Sequence, residues 1–361
     1  MRHEAVAAMS IAVMLTGCSA AIAPVTQVTS VVPSSLGTPS SVAVYGNYEF
    51  VSVQGTGQIF TYSIGSGQQE PVGAPYETPC SDPSGMVTTS IGGSAVIAAV
   101  CFDTNSLLTL GINDDGSLSL VGEAGGLQAP YPGIVLDGTD VLVPLFGQVA
   151  LANGGVAKVS IASPARPAVT AVTTLASTHA GAFSNPGDLA VAGGYIFVEA
   201  GSENEPLGAT STIQVIDEES MQLVGVPLVV EHSPQQIAVE GSVAYVTVYD
   251  AMQLESIDIS DPANLKPLEV LTLGGNTPDC HPLSIAVVDS AAYVGCCSEG
   301  EIEEFDVSNP ADMKLTGGRG GIFFPQQVQY TGRSLLIPSS TKGGSVYQVE
   351  LAGLSFSGLG E

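Results

Sequence analysis

Two of the four histidines in this 361-residue chain stand at matching places, His232 two residues before Pro234 and His281 directly before Pro282. Imidazoles brought together in that way can hold a metal ion or trade a proton with a bound molecule. Asp279 and Glu299, on either side of His281, would add carboxylates to the same chemistry. Glu203 and Glu205 flank Asn204 in an oxygen-rich loop of the kind that can take calcium. Asn113-Asp114-Asp115-Gly116 has a similar composition, but Asx and Gly residues are what a tight turn requires, and a turn is its expected role. Histidines without function are common on surface loops, and none of these spacings specifies a reaction.

The familiar catalytic motifs are missing. No Gly-x-Ser-x-Gly elbow, His-Glu-x-x-His helix, phosphate loop or dinucleotide fingerprint occurs, so no cofactor is expected. With 8 Lys plus Arg against 35 Asp plus Glu, the net charge of −27 repels phosphate backbones and excludes nucleic acid as an expected partner.

The elements that must position these residues repeat along the chain. Pro186-Gly187-Asp188-Leu189-Ala190-Val191 and Pro234-Gln235-Gln236-Ile237-Ala238-Val239 are two copies of a proline-led apolar strand. Further copies open at Pro39, Pro83, Pro132, Pro282 and Pro325, in steps of 44, 49, 54, 48, 48 and 43 residues. Seven residues after the proline stand Gly46, Gly193, Gly241, Asp289 and Gly332, as a hairpin turn with positive φ would require. A second apolar strand and a third alternating one follow, and Ser-Asp-Pro or Ser-Asn-Pro then turns the chain into a fourth. The period is that of a four-stranded propeller blade, and 43 Gly with 23 Pro argue against long helices. The sequence therefore predicts an all-β, seven-bladed β-propeller of four-stranded antiparallel blades over residues 18–361. The last blade needs an outer strand, from Val25–Val32 by preference or from Leu354–Phe356. In such a ring the starts of the inner strands and the ends of the second strands share one face. His232, His281, Asp82, Asp103, Asn185, Glu199, Asp250 and Lys342 all map there.

Gly116-Ser117-Leu118-Ser119-Leu120-Val121-Gly122 and Gly73-Ala74-Pro75-Tyr76 resemble the lactonase-like, YVTN-type propellers. Asp258-Ile259-Ser260-Asp261-Pro262-Ala263 and Asp306-Val307-Ser308-Asn309-Pro310-Ala311 resemble LVIVD-repeat surface propellers. The resemblance implies the same fold and specifies a blade rather than a chemistry. The lack of tryptophan sets the chain apart from WD-type blades and from the propellers that bind quinone cofactors.

The first residues carry a charged start, an apolar run from Ala5 to Leu15, and Leu15-Thr16-Gly17-Cys18, which resembles the lipobox of bacterial lipoproteins. Residues 1–17 are expected to be a signal peptide and Cys18 the lipidated first residue of the mature chain. That implies a membrane partner through the lipid and a place in the bacterial cell envelope, with Ser19 favouring the outer membrane.

Export permits disulfides. Cys80 precedes Pro83 and Cys101 ends the following strand, so in an antiparallel hairpin their sulfurs should meet. Cys280 precedes Pro282 in the same way. Laying Ser290–Cys297 over Ser94–Cys101 pairs it with Cys297, with Cys296 as the alternative and a vicinal Cys296–Cys297 bridge as a strained third case.

For function, a blade framework without a catalytic constellation suggests a binding or scaffolding module for a protein or glycan partner. The resemblance suggests instead a lactonase-type hydrolase, against which stands the scarcity of cations to stabilise an oxyanion.

Overall fold

The computed structural model describes residues 37–64, 69–146, 154–177, 185–201, 210–273, 280–297, 300–332, 334–340 and 344–351. Cys18, Glu203, Glu205, Asp279, Glu299, Lys342 and both candidates for the closing strand lie outside these residues.

The described residues form seven antiparallel sheets and no helix. Five sheets have four strands, the first has five and the last has three. Within each blade the strands follow one another in chain order from the axis outwards. The innermost strands are Thr38–Tyr45, Pro83–Ile91, Val135–Asp137, Asn185–Ala192, Pro234–Glu240, Pro282–Val288 and Gln329–Tyr330.

The second strand of each blade is buried on both faces because a neighbouring blade covers each one. Phe50, Val51, Ile97, Val143, Ile196, Val246, Val294 and Ile337 accordingly have no exposed surface. Seven apolar clusters occupy the seven seams between blades. The cluster of Val42, Val51, Val53, Tyr62, Leu336 and Val346 joins the last blade to the first and closes the ring.

Hairpin turns match the sequence pattern. Gly46, Gly193, Gly241, Asp289 and Gly332 all have positive φ, at 58°, 59°, 62°, 50° and 87°. The Ser-Asp-Pro and Ser-Asn-Pro corners are Asx turns. Asp258 Oδ1 accepts from Ser260 N at 2.9 Å, and Asp306 Oδ1 accepts from Ser308 N at 3.0 Å. Prolines at these corners also join blades, because Ser256 Oγ donates to Pro310 O, and Thr109 Oγ1 does the same to Pro164 O of the corresponding Ala-Ser-Pro corner, both at 2.5 Å.

One inner strand departs from the sequence pattern. The proline facing the end of the third blade's second strand is Pro130, bridged to Leu145, and not Pro132. One residue separates the prolines, and between Pro130 and Val135 the chain keeps a single bond to the second strand, Tyr131 N to Pro144 O at 2.8 Å, which leaves an inner strand of only three residues.

The leading prolines have a structural consequence that their spacing did not reveal. In five blades the strand register slips just past the proline, between Pro39 and Ser41, Pro83 and Gly85, Pro186 and Leu189, Pro234 and Gln236, and Pro282 and Ser284. A bulge of this kind re-aims a side chain. The side chain two residues past the proline reaches the next blade and accepts its inner-strand N–H. Ser41 Oγ takes Met86 N at 3.1 Å, Asp188 Oδ2 takes Ile237 N at 3.1 Å, and Gln236 Oε1 takes Ile285 N at 3.0 Å. Gln327 Oε1 takes Val42 N at 3.5 Å across the ring closure. Ser284 instead donates to Pro325 O at 2.9 Å. Where no such side chain exists, glycine lets backbones touch: a Cβ on Gly85 would stand 2.3 Å from Pro132 O, and one on Gly133 would stand 2.8 Å from Gly187 O.

Candidate functional site

The antiparallel register places each leading proline opposite the end of the second strand, as in Pro83 with Cys101, Pro234 with Val248 and Pro282 with Cys296. Loops from both ends therefore gather on one face around the axis.

Two disulfides pin this face. Cys80 bonds to Cys101 with Cα atoms 6.0 Å apart, and Cys280 bonds to Cys296 with Cα atoms 4.9 Å apart. Cys297 is free and buried, which corrects the first-choice pairing of Cys280 with Cys297. The overlay of the two second strands started from the wrong residue: Ser290 lies in the turn, with φ of 61°, and Ala291 opens the strand. Each arm of this hairpin is two residues shorter than in the second blade, so counting from the proline, and not from the turn, finds the partner. Burial raises the Cys297 thiol above its ordinary range, opposed by a hydrogen bond with Tyr249. Glu303 lies beside the Cys280 and Cys296 sulfurs, all within 4.8 Å of one another. Sulfurs joined in a bridge offer no thiolate to a metal ion.

Among the described residues neither candidate histidine belongs to a cluster of three metal-ligating groups. His281 Nδ1 lies 3.0 Å from Tyr249 O and its ring leans on the Tyr249 ring, with centroids 4.8 Å apart. Its carbonyl accepts from Cys297 N at 2.9 Å, which ties it to the sulfur cluster. His232 is held at φ of 74°, and its carbonyl accepts from Ser211 Oγ at 2.6 Å. Among the described residues neither histidine lines the axial channel. Of the acids on this face, Asp103 caps Ser81 through its N and Oγ at 3.0 and 2.7 Å. Burial works against the Asp103 charge, but those two hydrogen bonds hold its pKa below the ordinary value. Burial raises that of Asp82, against a hydrogen bond from Gln54.

The channel itself is the concave feature of this face. It encloses about 300 Å³ and is walled by all seven blades, including Ser40, Ser84, Tyr131, Asp188, Gln235 and Gln326. Asp188 is the one charged side chain on that wall among the described residues. Burial pushes its carboxyl from 3.8 up to about 7, against hydrogen bonds from the N–H groups of Ile237 and Leu189. Behind it, Glu199 accepts Gly187 N at 3.1 Å and is 1% exposed. Ser84 Oγ is buried on the channel wall with no hydrogen-bond partner.

The loops of this face carry exposed aromatic residues in two blades. Phe102, Phe323 and Phe324 are 42%, 49% and 46% exposed. Phe324 sits at φ of 49°, a conformation that a bulky side chain adopts at a cost in strain. Tyr131 stacks on Phe146 with centroids 5.6 Å apart.

Asp188, Ser84, Tyr131 and the phenylalanines were not singled out from sequence. The available signal was a polar residue two places past the proline in Ser41, Asp188, Gln236, Ser284 and Gln327.

The LVIVD repeat pattern matches residues 36–58 and 233–270, which fall in the first and fifth blades. No curated protein matches the chain. Among solved structures, Kuenenia stuttgartiensis hydrazine synthase superposes with a TM-score of 0.69 at 13% identity, over 88% of this chain and 96% of that one. The periplasmic gluconolactonase of Pseudomonas aeruginosa gives 0.58 at 15% identity, over 81% and 92%. BamB from Moraxella catarrhalis gives 0.55 at 12% identity, over 87% and 86%. At such identities the likeness is one of fold. From its seven sheets and its closed set of seams the chain is a seven-bladed β-propeller, two of whose blades match the LVIVD repeat.

Proposed function

We propose that this propeller is a binding or scaffolding module, held at the bacterial cell envelope through Cys18, whose channel-mouth face engages a protein or glycan partner. The observation that carries this reading is the make-up of that face. Three exposed phenylalanines, one of them in a strained conformation, lie on the loops of this face in two blades, and the described channel wall has no Lys, Arg or His. Exposed aromatic groups are what partner surfaces concentrate. Hydrolysis of a lactone would need a base together with a donor for the developing oxyanion. Asp188 could accept a proton, yet its carboxyl is already engaged with Ile237 N, and no cationic side chain stands with it on the described wall.

The reading is tested in cells by placing a photo-activated cross-linker at Phe324 and, separately, at Val226 on an outer strand. Adducts with a discrete partner are expected from position 324 and not from 226. Equal labelling from both positions, together with efficient turnover of simple lactones by the purified protein, would overturn the reading in favour of a hydrolase.

A further inference from the structure

We infer that the axial channel is a binding site for a small organic ammonium ion, with Asp188 as counter-ion and Ser84 as a hydrogen-bond acceptor. This site is separate from the partner surface around the mouth and does not depend on it.

A carboxylate enclosed in protein is costly unless something compensates its charge. Asp188 receives one N–H from the next blade at 3.1 Å, and no described cation faces it. The groups packed against it are Gly133 of the third blade, Gly187 and Leu189 of its own, and Gln236 and Ile237 of the fifth. Tyr131 on the wall and Glu199 behind Gly187 are the nearby titratable groups, and neither can supply a positive charge. Lys158 is spent on Asp140 and Glu218, at 3.5 and 3.3 Å, and Lys314 on Asp312 at 2.8 Å. Among the described residues no side chain supplies the positive charge that would balance this site, and a cationic ligand can.

The remaining wall says what kind of cation fits. Ser84 Oγ is a free polar atom on a residue 7% exposed. The amide NH₂ groups of Gln235 and Gln326 are donated to Ser233 Oγ at 3.1 Å and Ser340 Oγ at 3.0 Å, whereas Gln236 and Gln327, also on the wall, use their oxygens on Ile285 N and Val42 N, so Asp188 and Ser84 are the acceptors that select a cation. The Tyr131 ring offers an aromatic surface of the kind that attracts ammonium groups. A space of about 300 Å³ lies at the small end of ligand pockets. An anion would be repelled. A neutral sugar would leave the carboxylate uncompensated. A calcium ion prefers about six or more oxygens, and the wall offers it a single carboxylate.

The test is calorimetric titration of the whole protein with ethylammonium chloride, against potassium chloride, calcium chloride and glucose at matched ionic strength. Saturable binding of ethylammonium is expected at pH 8. Because the carboxyl keeps its proton below about 7, binding there must release that proton. Affinity should then fall by up to about tenfold for each pH unit below that point. Asp188→Asn should weaken binding by about tenfold or more, and Ser84→Ala by about fivefold. The Ser84 variant removes a hydroxyl that makes no hydrogen bond within the protein and so guards against a fold defect in the first. Absence of saturable binding, binding unchanged by both substitutions, or tighter binding of potassium, calcium or glucose would each overturn the inference.

Discussion

Replacing Asp188 by Asn should make the propeller more stable at pH 8 and flatten its response to pH. In the unfolded chain this carboxyl loses its proton near 3.8, and in the folded ring near 7. Between those values the folded state binds more protons, so stability is fully present below about 3.8 and is lost as pH rises through 7. A shift of roughly 3 units at 1.36 kcal/mol each sets a ceiling of about 4 kcal/mol on the loss. Part of the Asp188 surface faces the channel, and water there lowers the cost, so a measured effect of about 2 to 3 kcal/mol is expected. Asparagine keeps an oxygen to accept Ile237 N and removes the charge, which separates the two roles. Glu49, raised by burial from 4.5 to about 7 in spite of a hydrogen bond from Gln69, titrates in the same window. Glu49→Gln therefore serves as the parallel control. The assay is urea unfolding at pH 5 and pH 8 with disulfides intact. If Asp188→Asn is no more stable than the parent at pH 8, or the parent shows equal stability at both pH values, the burial argument fails.

Other outcomes follow from the seams. Gly85→Ala forces a Cβ to 2.3 Å from Pro132 O and should cost about 2 kcal/mol in urea unfolding, whereas Gly92→Ala, in open space at φ of 59°, should cost only about 1 kcal/mol. Gln236→Ala leaves Ile285 N without its acceptor and should cost about 1 to 3 kcal/mol, with faster amide exchange at Ile285 as the local readout. Non-reducing peptide mapping should find Cys280 with Cys296 and a free Cys297; Cys297→Ser should keep both bridges, and Cys280→Ser should cost about 3 kcal/mol. Phe324→Gly should relieve positive φ and leave the fold intact while abolishing the adduct formed from a cross-linker moved to the neighbouring exposed Phe323, measured by circular dichroism and gel shift.

Sequence determined the blades because blade formation is local chemistry. A leading proline, a run of β-branched residues, a glycine or aspartate able to take positive φ and an Asx corner specify a four-stranded sheet within about 50 residues. Each such sheet has two oily faces, so the ring follows from the count of the repeats. The Cys80–Cys101 bridge was legible for the same reason, since hairpin geometry alone brings the two sulfurs together. The Cys280 bridge was not, because Ser290 sits in the turn and each arm is two residues shorter, a length that only the register fixes.

Tertiary structure decided everything that depends on where blades meet. Asp188 reads in sequence as one more polar residue near a hairpin, and only the bulge after Pro186 aims it at Ile237 and into the channel. Ser84 reads as filler until the seven walls enclose it. His232 and His281 occupy matching places in two repeats, yet one is held by a strained backbone and the other by Tyr249. A repeat fixes what each blade is, because its period is written in neighbouring residues. What the axis offers a ligand is set by contacts between residues some 50 positions apart, and no local pattern encodes the direction in which those side chains point.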